Sequence, residues 1–191
     1  TELRRFFPVW QLTSLSAARS APLDSGRFDL VVIDEASQCD VPSAIPLLYR
    51  ARRAVIIGDP HQLAHIATLR AQEENLIADE HGVAGFLPHL AYTKTSLYLA
   101  AESRYLSGGE TPVLLEEHYR SDPRLIGFSN ARYYGGRLIP RTQPLRLVDG
   151  RGNNVAVYVW HDVLGTVPPA DRSAWNPQEV DSIVELVAGW V

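Results

Sequence analysis

The sequence predicts an α/β fold built on a parallel β-sheet, and two apolar runs carry this prediction. Leu30–Ile33 and Ala54–Ile57 are short, continuously apolar and rich in Val and Ile, which is typical of strands that a parallel sheet buries on both faces. The segment between them, residues 41–53, is long enough to supply the crossover helix of a βαβ unit, provided that Pro46 lies near the first turn of that helix.

Capping residues and apolar spacing predict helices along the rest of the chain. One helix is expected around residues 68–79 and another within residues 93–106. Asp122 and Asn176, each followed by a proline, predict the starts of two more helices, because Asp and Asn cap helices and Pro suits the first helical position. The last helix has an apolar face that is expected to point into a core, formed by Val180, Ile183, Val184 and Val187.

The chain is predicted to hold parts of two domains. The stretch "SGGETPV" interrupts the helical pattern near residues 108–116, and we place the boundary between residues 110 and 111. Residues 1–110 then hold both strands described above. Residues 111–191 are expected to include a strand over Val155–Trp160.

Composition narrows the class of protein. An apolar content of 46% with 21% charged residues is the balance of a globular, soluble protein. No apolar run approaches the roughly 20 residues that span a bilayer, so a membrane role is not expected. Cys39 is the only cysteine, which excludes an internal disulfide and fits a reducing compartment, so we expect a cytoplasmic location.

The charge pattern limits how the chain can contact nucleic acid. A net charge of −4 has the wrong sign for a module that holds nucleic acid by bulk electrostatic attraction. Only Lys94 among the 18 basic residues is a lysine, and guanidinium groups suit planar, bidentate contact with phosphate. Any contact with nucleic acid is therefore expected to be local or shared with other parts of a larger protein.

Acidic residues follow both predicted strands. Asp34 and Glu35 come directly after the first strand, and Asp59 follows the second. Because ligands of open α/β sheets bind at the carboxyl ends of parallel strands, we expect these carboxylates at one sheet edge. The Asp-Glu pair alone is also compatible with a capped turn, and the carboxylates together are compatible with a metal-dependent nuclease that binds a pair of metal ions. Near Asp59, Gly58 permits close backbone approach and Gln62 offers a neutral amide to a phosphate or a water.

Four segments resemble the motifs of superfamily 1 helicases. "DEASQ" at residues 34–38 resembles motif II and "GDPHQL" at residues 58–63 resembles motif III, in the family's order. "PVWQLTSLSA" at residues 8–17 resembles motif Ic, and residues 114–138, beginning "LLEEHYR", resemble motif IV. The resemblance is to the superfamily 1B branch that contains the nonsense-mediated-decay RNA helicase and its DNA-processing relatives. It implies part of one RecA-like, P-loop NTPase domain followed by the start of a second RecA-like domain.

The resemblance also implies ATP and Mg²⁺ as ligands. Asp34 and Glu35 would be the metal side of the site, with Glu35 polarising the attacking water. Gln62 would sense the γ-phosphate. Gly58 and Asp59 would lie beside the nucleotide, although Asp59 is expected to hold its loop rather than to act in the chemistry.

Further roles follow from the motifs at either end of the chain. Tyr119 would stack on the base of the nucleotide and Arg120 would reach the γ-phosphate. The alternatives are that Tyr119 packs at a domain boundary and that Arg120 pairs with a neighbouring glutamate. Thr13 and Ser14 would contact the backbone of single-stranded nucleic acid, or else act as a cap or turn. The family usually has Gln where this chain has His118, which leaves the role of that residue open.

No segment matches the phosphate-binding pattern GxxxxGK[ST], and Lys94 follows no glycine-rich turn. In the family this element precedes all the motifs seen here, so we expect the chain to be an internal segment of a longer ATP-dependent helicase. The rest of that protein would be needed to complete the ATP site, and the isolated segment is expected to be inactive. A non-catalytic, helicase-like scaffold is the main alternative.

Overall fold

The computed structural model describes residues 6–148, 152–156, 158–166 and 175–189. The chain divides into two compact units, Thr1–Leu114 and Leu115–Val191, called unit 1 and unit 2 below. This division lies a few residues beyond the boundary placed between residues 110 and 111. The assignment of the units to two RecA-like domains stays a prediction.

Unit 1 has the α/β organisation that the sequence predicts. In chain order it contains α1 (Ser14–Ser20), β1 (Val31–Ile33), a 3-10 helix (Ala36–Gln38), α2 (Val41–Tyr49), β2 (Ala54–Ile56), α3 (Ala71–Glu80), a second 3-10 helix (Ala84–Phe86), α4 (Leu87–Leu90) and α5 (Leu97–Ser107). The two strands pair in parallel, with Val32 opposite Val55. The α/β fold with a parallel sheet is therefore confirmed.

Helix α2 connects the two strands, but the expectation about its proline is wrong. Asp40 caps the helix by accepting a hydrogen bond from the Ser43 amide at 2.8 Å, so that Pro42 takes the first turn and Pro46 lies inside the helix. Pro46 has no N–H with which to reach the carbonyl one turn back. The helix ends soon afterwards at Arg50, whose buried guanidinium donates to the Pro46 carbonyl at 2.7 Å.

The core of unit 1 covers one part of the sheet only. Ile33 is buried in a cluster with Ala36, Ala44 and Leu97. By contrast, Val32 is 54% exposed and Val55 is 44% exposed. The expectation that both faces of both strands are buried is therefore wrong for the described residues, in which each of these strands has a single partner strand.

Unit 2 contains a second, shorter parallel pair. Its elements are β3 (Glu117–His118), α6 (Pro123–Tyr133), β4 (Ile139–Pro140) and α7 (Pro177–Ala188). Glu117 lies opposite Ile139 in the ladder. Both predicted helix starts are confirmed, because Asp122 accepts from the Arg124 amide at 2.8 Å and Asn176 accepts from the Gln178 amide at 3.1 Å.

Two expectations for unit 2 are wrong. None of the described residues in the range 155–160 lies in a strand. Just before this range, Asn154 forms an isolated bridge with Val148. The apolar face of α7 is not buried, since its four residues are between 46% and 60% exposed. Apolar spacing shows which residues share a face, but the described part of the chain supplies nothing that covers this one. No helix among the described residues is both long and apolar enough to cross a membrane.

Candidate functional site

The loop after β1 has an unusual backbone. Glu35 has φ 54° and ψ 36°, and it is the only non-glycine residue with a positive φ in the described part of the chain. This left-handed conformation costs a non-glycine residue about 1–2 kcal/mol, so the surroundings must impose it. The Glu35 amide donates to Asp34 Oδ1 at 2.9 Å, and the next amide, of Ala36, donates to the Ile57 carbonyl at 2.8 Å.

These contacts bear on whether the Asp-Glu pair is only a capped turn. Glu35 does occupy the N-cap position of the 3-10 helix, but its side chain makes no capping hydrogen bond. Among the described residues, its carboxylate has only a long contact, 3.4 Å, with the side-chain Nε2 of Gln38. Capping therefore does not explain why a glutamate stands at this strained position.

The loop after β2 is joined to the acidic loop by one buried hydroxyl. Ser37 Oγ donates to the Asp59 carbonyl at 2.8 Å and accepts from the Asp59 amide at 2.7 Å. Gly58 makes this close approach possible, because a Cβ at that position would lie 2.8 Å from Ser37 Oγ and 2.7 Å from Tyr98 Cδ2. The close backbone approach predicted for Gly58 is found, and it is made to protein atoms. The segments that resemble motifs II and III thus form one connected structure at the carboxyl ends of β1 and β2.

The Asp59 side chain is used within its own loop. Its Oδ1 accepts from the His61 amide at 3.0 Å, and its Oδ2 accepts from Gln62 Nε2 at 2.9 Å. The second bond ties the exposed Gln62 amide to the loop that Ser37 anchors. Nearby, burial and the carboxylates of Glu102 and Asp59 raise the pKa of Tyr98, in that order of importance.

Asp34 and Glu35 offer the kind of ligand that Mg²⁺ prefers. Both side chains are exposed and supply carboxylate oxygens. Mg²⁺ binds through one or two carboxylates and takes its other ligands from water and phosphate, so two adjacent acids fit this ion. Among the described residues, no three His, Cys, Asp or Glu side chains gather as a ready-made metal site. The described residues therefore hold no cluster of ligands for the pair of metal ions that the nuclease alternative requires.

Thr13 and Ser14 lie at the start of α1. Thr13 is the N-cap residue, and its Oγ1 accepts from the Ser16 amide at 3.2 Å within a capping box. Ser14 is the first residue of the helix. The structure therefore shows the capping role that the sequence left open for Thr13. A contact of either residue with nucleic acid stays a prediction.

In unit 2, Tyr119 and Arg120 follow β3 directly. Tyr119 is 66% exposed, and its hydroxyl donates a hydrogen bond to Glu117 Oε2. This bond raises the pKa of Tyr119 and, together with the Arg141 guanidinium, lowers the pKa of Glu117. His118, which stands in place of the family's Gln, accepts from the Ser121 amide through Nε2 at 3.0 Å.

The ion pairs weighed for Arg120 are not formed. Glu116 pairs with Arg137 at 3.0 Å and Glu117 pairs with Arg141 at 2.5 Å. The exposed Arg120 side chain makes no hydrogen bond or ion pair with any residue that the structure describes. Its guanidinium is therefore available to an anionic ligand.

The sequence did not single out Ser37 or Tyr98, although both shape the site. Ser37 is 4% exposed and connects the two loops. It lies inside "DEASQ", and a small hydroxyl residue two positions after an acid pair carries no distinct signal by itself. The better indication was Gly58, since a glycine that permits close approach implies neighbours, but the sequence cannot name them.

Comparison with known proteins identifies relatives over almost the whole chain. A family model described as an AAA domain matches residues 12–68. An uncharacterised ATP-dependent helicase of Mycoplasma genitalium is 34% identical over 96% of this chain and 15% of its own length. Helicase SEN1 of Saccharomyces cerevisiae is 32% identical over 59% of this chain and 4% of its own length. The ATP-dependent helicase NAM7 of the same yeast is 31% identical over 59% of this chain and 10% of its own length.

The chain thus spans 15% of the length of the first of these relatives. The matches cover both the parallel βαβ unit and most of the segments that carry the motifs. Taken with the order of those motifs, they show that the chain belongs to the superfamily 1B helicases, the family that contains the nonsense-mediated-decay RNA helicase.

Proposed function

We propose that the full-length protein is an ATP-dependent helicase or translocase acting on single-stranded nucleic acid. The observation that carries this proposal is the connection between the acidic loop and the Gln62 loop through Ser37 and Asp59. A hydrolytic site that drives movement must transmit the state of the nucleotide to other parts of the protein. A hydrogen-bonded connection between the acidic loop and a phosphate-sensing amide is a simple way to do so.

Within this proposal, Asp34 and Glu35 act at the phosphates. Mg²⁺ held by Asp34 would neutralise charge on the β- and γ-phosphates. Glu35 orients the attacking water and accepts a proton from it. The left-handed backbone conformation of Glu35 sets the direction in which its side chain leaves the chain. Gln62, tied to Asp59, lies in the loop that follows the neighbouring strand and binds the γ-phosphate through its amide.

Unit 2 would contribute the base and phosphate contacts. The exposed Tyr119 ring can stack on any base, because every base has an aromatic face. The Arg120 guanidinium, which has no partner among the described residues, would bind the γ-phosphate and stabilise charge on it during transfer, a role worth on the order of 10³-fold or more in rate. Thr13 and Ser14 would contact the nucleic-acid backbone beside α1.

The test is Glu35→Gln in the full-length protein. Glutamine keeps the size of the side chain but cannot accept the proton, so we expect the single-turnover rate of ATP hydrolysis to fall by about 10²-fold or more. The affinity for ATP should change by less than about threefold, because the substitution removes no contact that binds ATP equally well in the ground state and the transition state. Glu80→Gln, at an exposed glutamate at the end of α3, is the matched control and should hydrolyse ATP normally.

Two outcomes would count against the proposal. A Glu35→Gln protein that hydrolyses ATP within about tenfold of the wild-type rate would show that Glu35 is not the base. A wild-type protein that binds nucleic acid but never hydrolyses ATP would favour the non-catalytic scaffold.

A further inference from the structure

Two ion pairs occupy the acidic residues that precede Arg120. Glu116 Oε1 accepts from Arg137 Nη2 at 3.0 Å, and Glu117 Oε1 accepts from Arg141 Nε at 3.0 Å. The two arginines lie two residues before and two residues after Ile139, the β4 residue opposite Glu117 in the ladder. The pairing of β3 with β4 thus delivers one arginine to each glutamate.

Glu117 also holds the ring that is proposed to bind the base. Its other carboxylate oxygen, Oε2, accepts from the Tyr119 hydroxyl. The Arg141–Glu117–Tyr119 chain of contacts therefore runs from β4 to the aromatic side chain. Tyr119 has no other anchor that the structure describes at its hydroxyl, and it is otherwise exposed.

Without these partners, the two glutamates would compete for Arg120. Glu117 is three residues before Arg120, so their Cα atoms are at most about 11 Å apart, a span that the two long side chains can bridge. A free carboxylate at that range is a natural partner for an exposed guanidinium. An Arg120 paired with Glu117 would be less available to a phosphate, and a Glu117 turned toward Arg120 would release the Tyr119 hydroxyl.

We propose that Arg141 is a positioning residue for the nucleotide site. By pairing with Glu117 it keeps that carboxylate on Tyr119 and away from Arg120, so that Tyr119 is held for the base and Arg120 stays free for the γ-phosphate. Arg137, which pairs with Glu116, likewise keeps that carboxylate away from Arg120. This inference rests on the roles proposed above for Tyr119 and Arg120, and it assigns neither arginine a contact with the nucleotide itself.

The test is a cycle of variants in the full-length protein, measured by steady-state ATP hydrolysis. Arg141→Ala should lower kcat about threefold to fivefold, the size expected when an exposed carboxylate captures Arg120. It should also raise the KM for ATP, because Tyr119 loses its hydrogen bond. Arg132→Ala is the matched control, since Arg132 is an exposed arginine of α6 in the same unit with no described partner.

The decisive measurement is rescue. Glu117→Gln removes the charge that attracts Arg120 but keeps an oxygen that accepts from Tyr119, so the Arg141→Ala/Glu117→Gln protein should return to within about 1.5-fold of Glu117→Gln alone. A structural role of Arg141 that does not act through Glu117 would not be rescued in this way. Absence of rescue, or an Arg141→Ala protein that behaves like Arg132→Ala, would overturn the inference while leaving the proposed function intact. A wild-type protein without ATP hydrolysis would contradict both.

Discussion

At the residue scale, the site depends on close contacts between the loops that follow β1 and β2. Gly58 and Ser37 are in contact across the two loops, and the Ser37 hydroxyl satisfies both backbone groups of Asp59. Local sequence predicted a glycine that allows close approach, because the residue type implies it. It could not predict the left-handed Glu35, because the neighbouring Ala36 amide is held by the Ile57 carbonyl, a contact between residues that are far apart in sequence.

This packing makes Gly58 sensitive to a single methyl group. We expect Gly58→Ala to lower the free energy of unfolding by about 1–3 kcal/mol, the usual cost of overpacking. The new Cβ would lie 3.0 Å from the Ser37 backbone nitrogen, and a backbone atom cannot move aside as easily as the end of a side chain. Urea unfolding of the variant and wild-type chains measures this difference.

Gly85→Ala is the matched control for that experiment. A Cβ at Gly85 would meet nothing within 4 Å, and its φ is not in the left-handed region. Its substitution should change the unfolding free energy by less than about 0.5 kcal/mol or stabilise the chain slightly. If Gly58→Ala unfolds at the same urea concentration as Gly85→Ala, the two loops are not packed as described.

At the scale of elements, short-range signals were the most reliable. Asp122 and Asn176 cap their helices as predicted, because a cap is a contact between residues two or three apart. The strand predicted over Val155–Trp160 is absent from the described residues, and the α7 face is exposed, because both predictions depend on a partner from elsewhere. Pro46 was misplaced for a related reason: Asp40 caps α2 earlier than the proline suggested.

The α6 cap leads to a prediction about pH. The buried Asp122 carboxylate accepts from the Arg124 guanidinium and from the Leu145 and Arg124 amides, and these bonds, chiefly that of the guanidinium, hold its pKa well below the usual range. A carboxyl whose pKa is lower in the folded state stabilises the protein above its unfolded-state pKa, about 3.9. That contribution is lost as the pH falls toward the folded-state pKa.

We therefore expect Asp122→Asn to lower the midpoint of thermal unfolding at neutral pH, with the full difference present above about pH 5. The difference from wild type should shrink steadily below about pH 4, because the wild-type carboxylate is then increasingly protonated on unfolding. Asp181→Asn, at an exposed aspartate of α7, is the control. A difference between Asp122→Asn and wild type that stays constant down to pH 2 would show that the charge of Asp122 contributes nothing.

At the scale of the whole molecule, composition and motif order established more than periodicity did. The α/β class and the parallel pairing follow from two apolar runs, and the helicase family follows from the order of the motifs together with the relatives. The extent of the core does not, since large apolar side chains such as Val32 and Val184 remain exposed in the described units. An apolar pattern shows which residues can be buried. Whether they are buried depends on the other segments that pack against them.

The overall charge predicts weak binding of the 191-residue chain to nucleic acid. The chain carries a net charge of −4 even though it has 18 basic residues, all but one of which are arginines. At about 150 mM salt we expect a single-stranded oligonucleotide to bind with a Kd above about 100 µM, at the weak end of nonspecific binding. The slope of log K against log salt should be shallower than about −2, because few phosphates are contacted. Fluorescence anisotropy over a salt series measures both values.

The same titration on the full-length protein is the comparison. If nucleic acid is held by contacts shared with other parts of a larger protein, the full-length protein should bind at least about tenfold more tightly and show a steeper salt dependence, because more phosphates are neutralised. Micromolar binding by the 191-residue chain alone, with a slope near −4, would mean that a local cluster of arginines outweighs the net negative charge. Nucleic acid would then be held by this segment itself, rather than only through sparse contacts such as those proposed for Thr13 and Ser14.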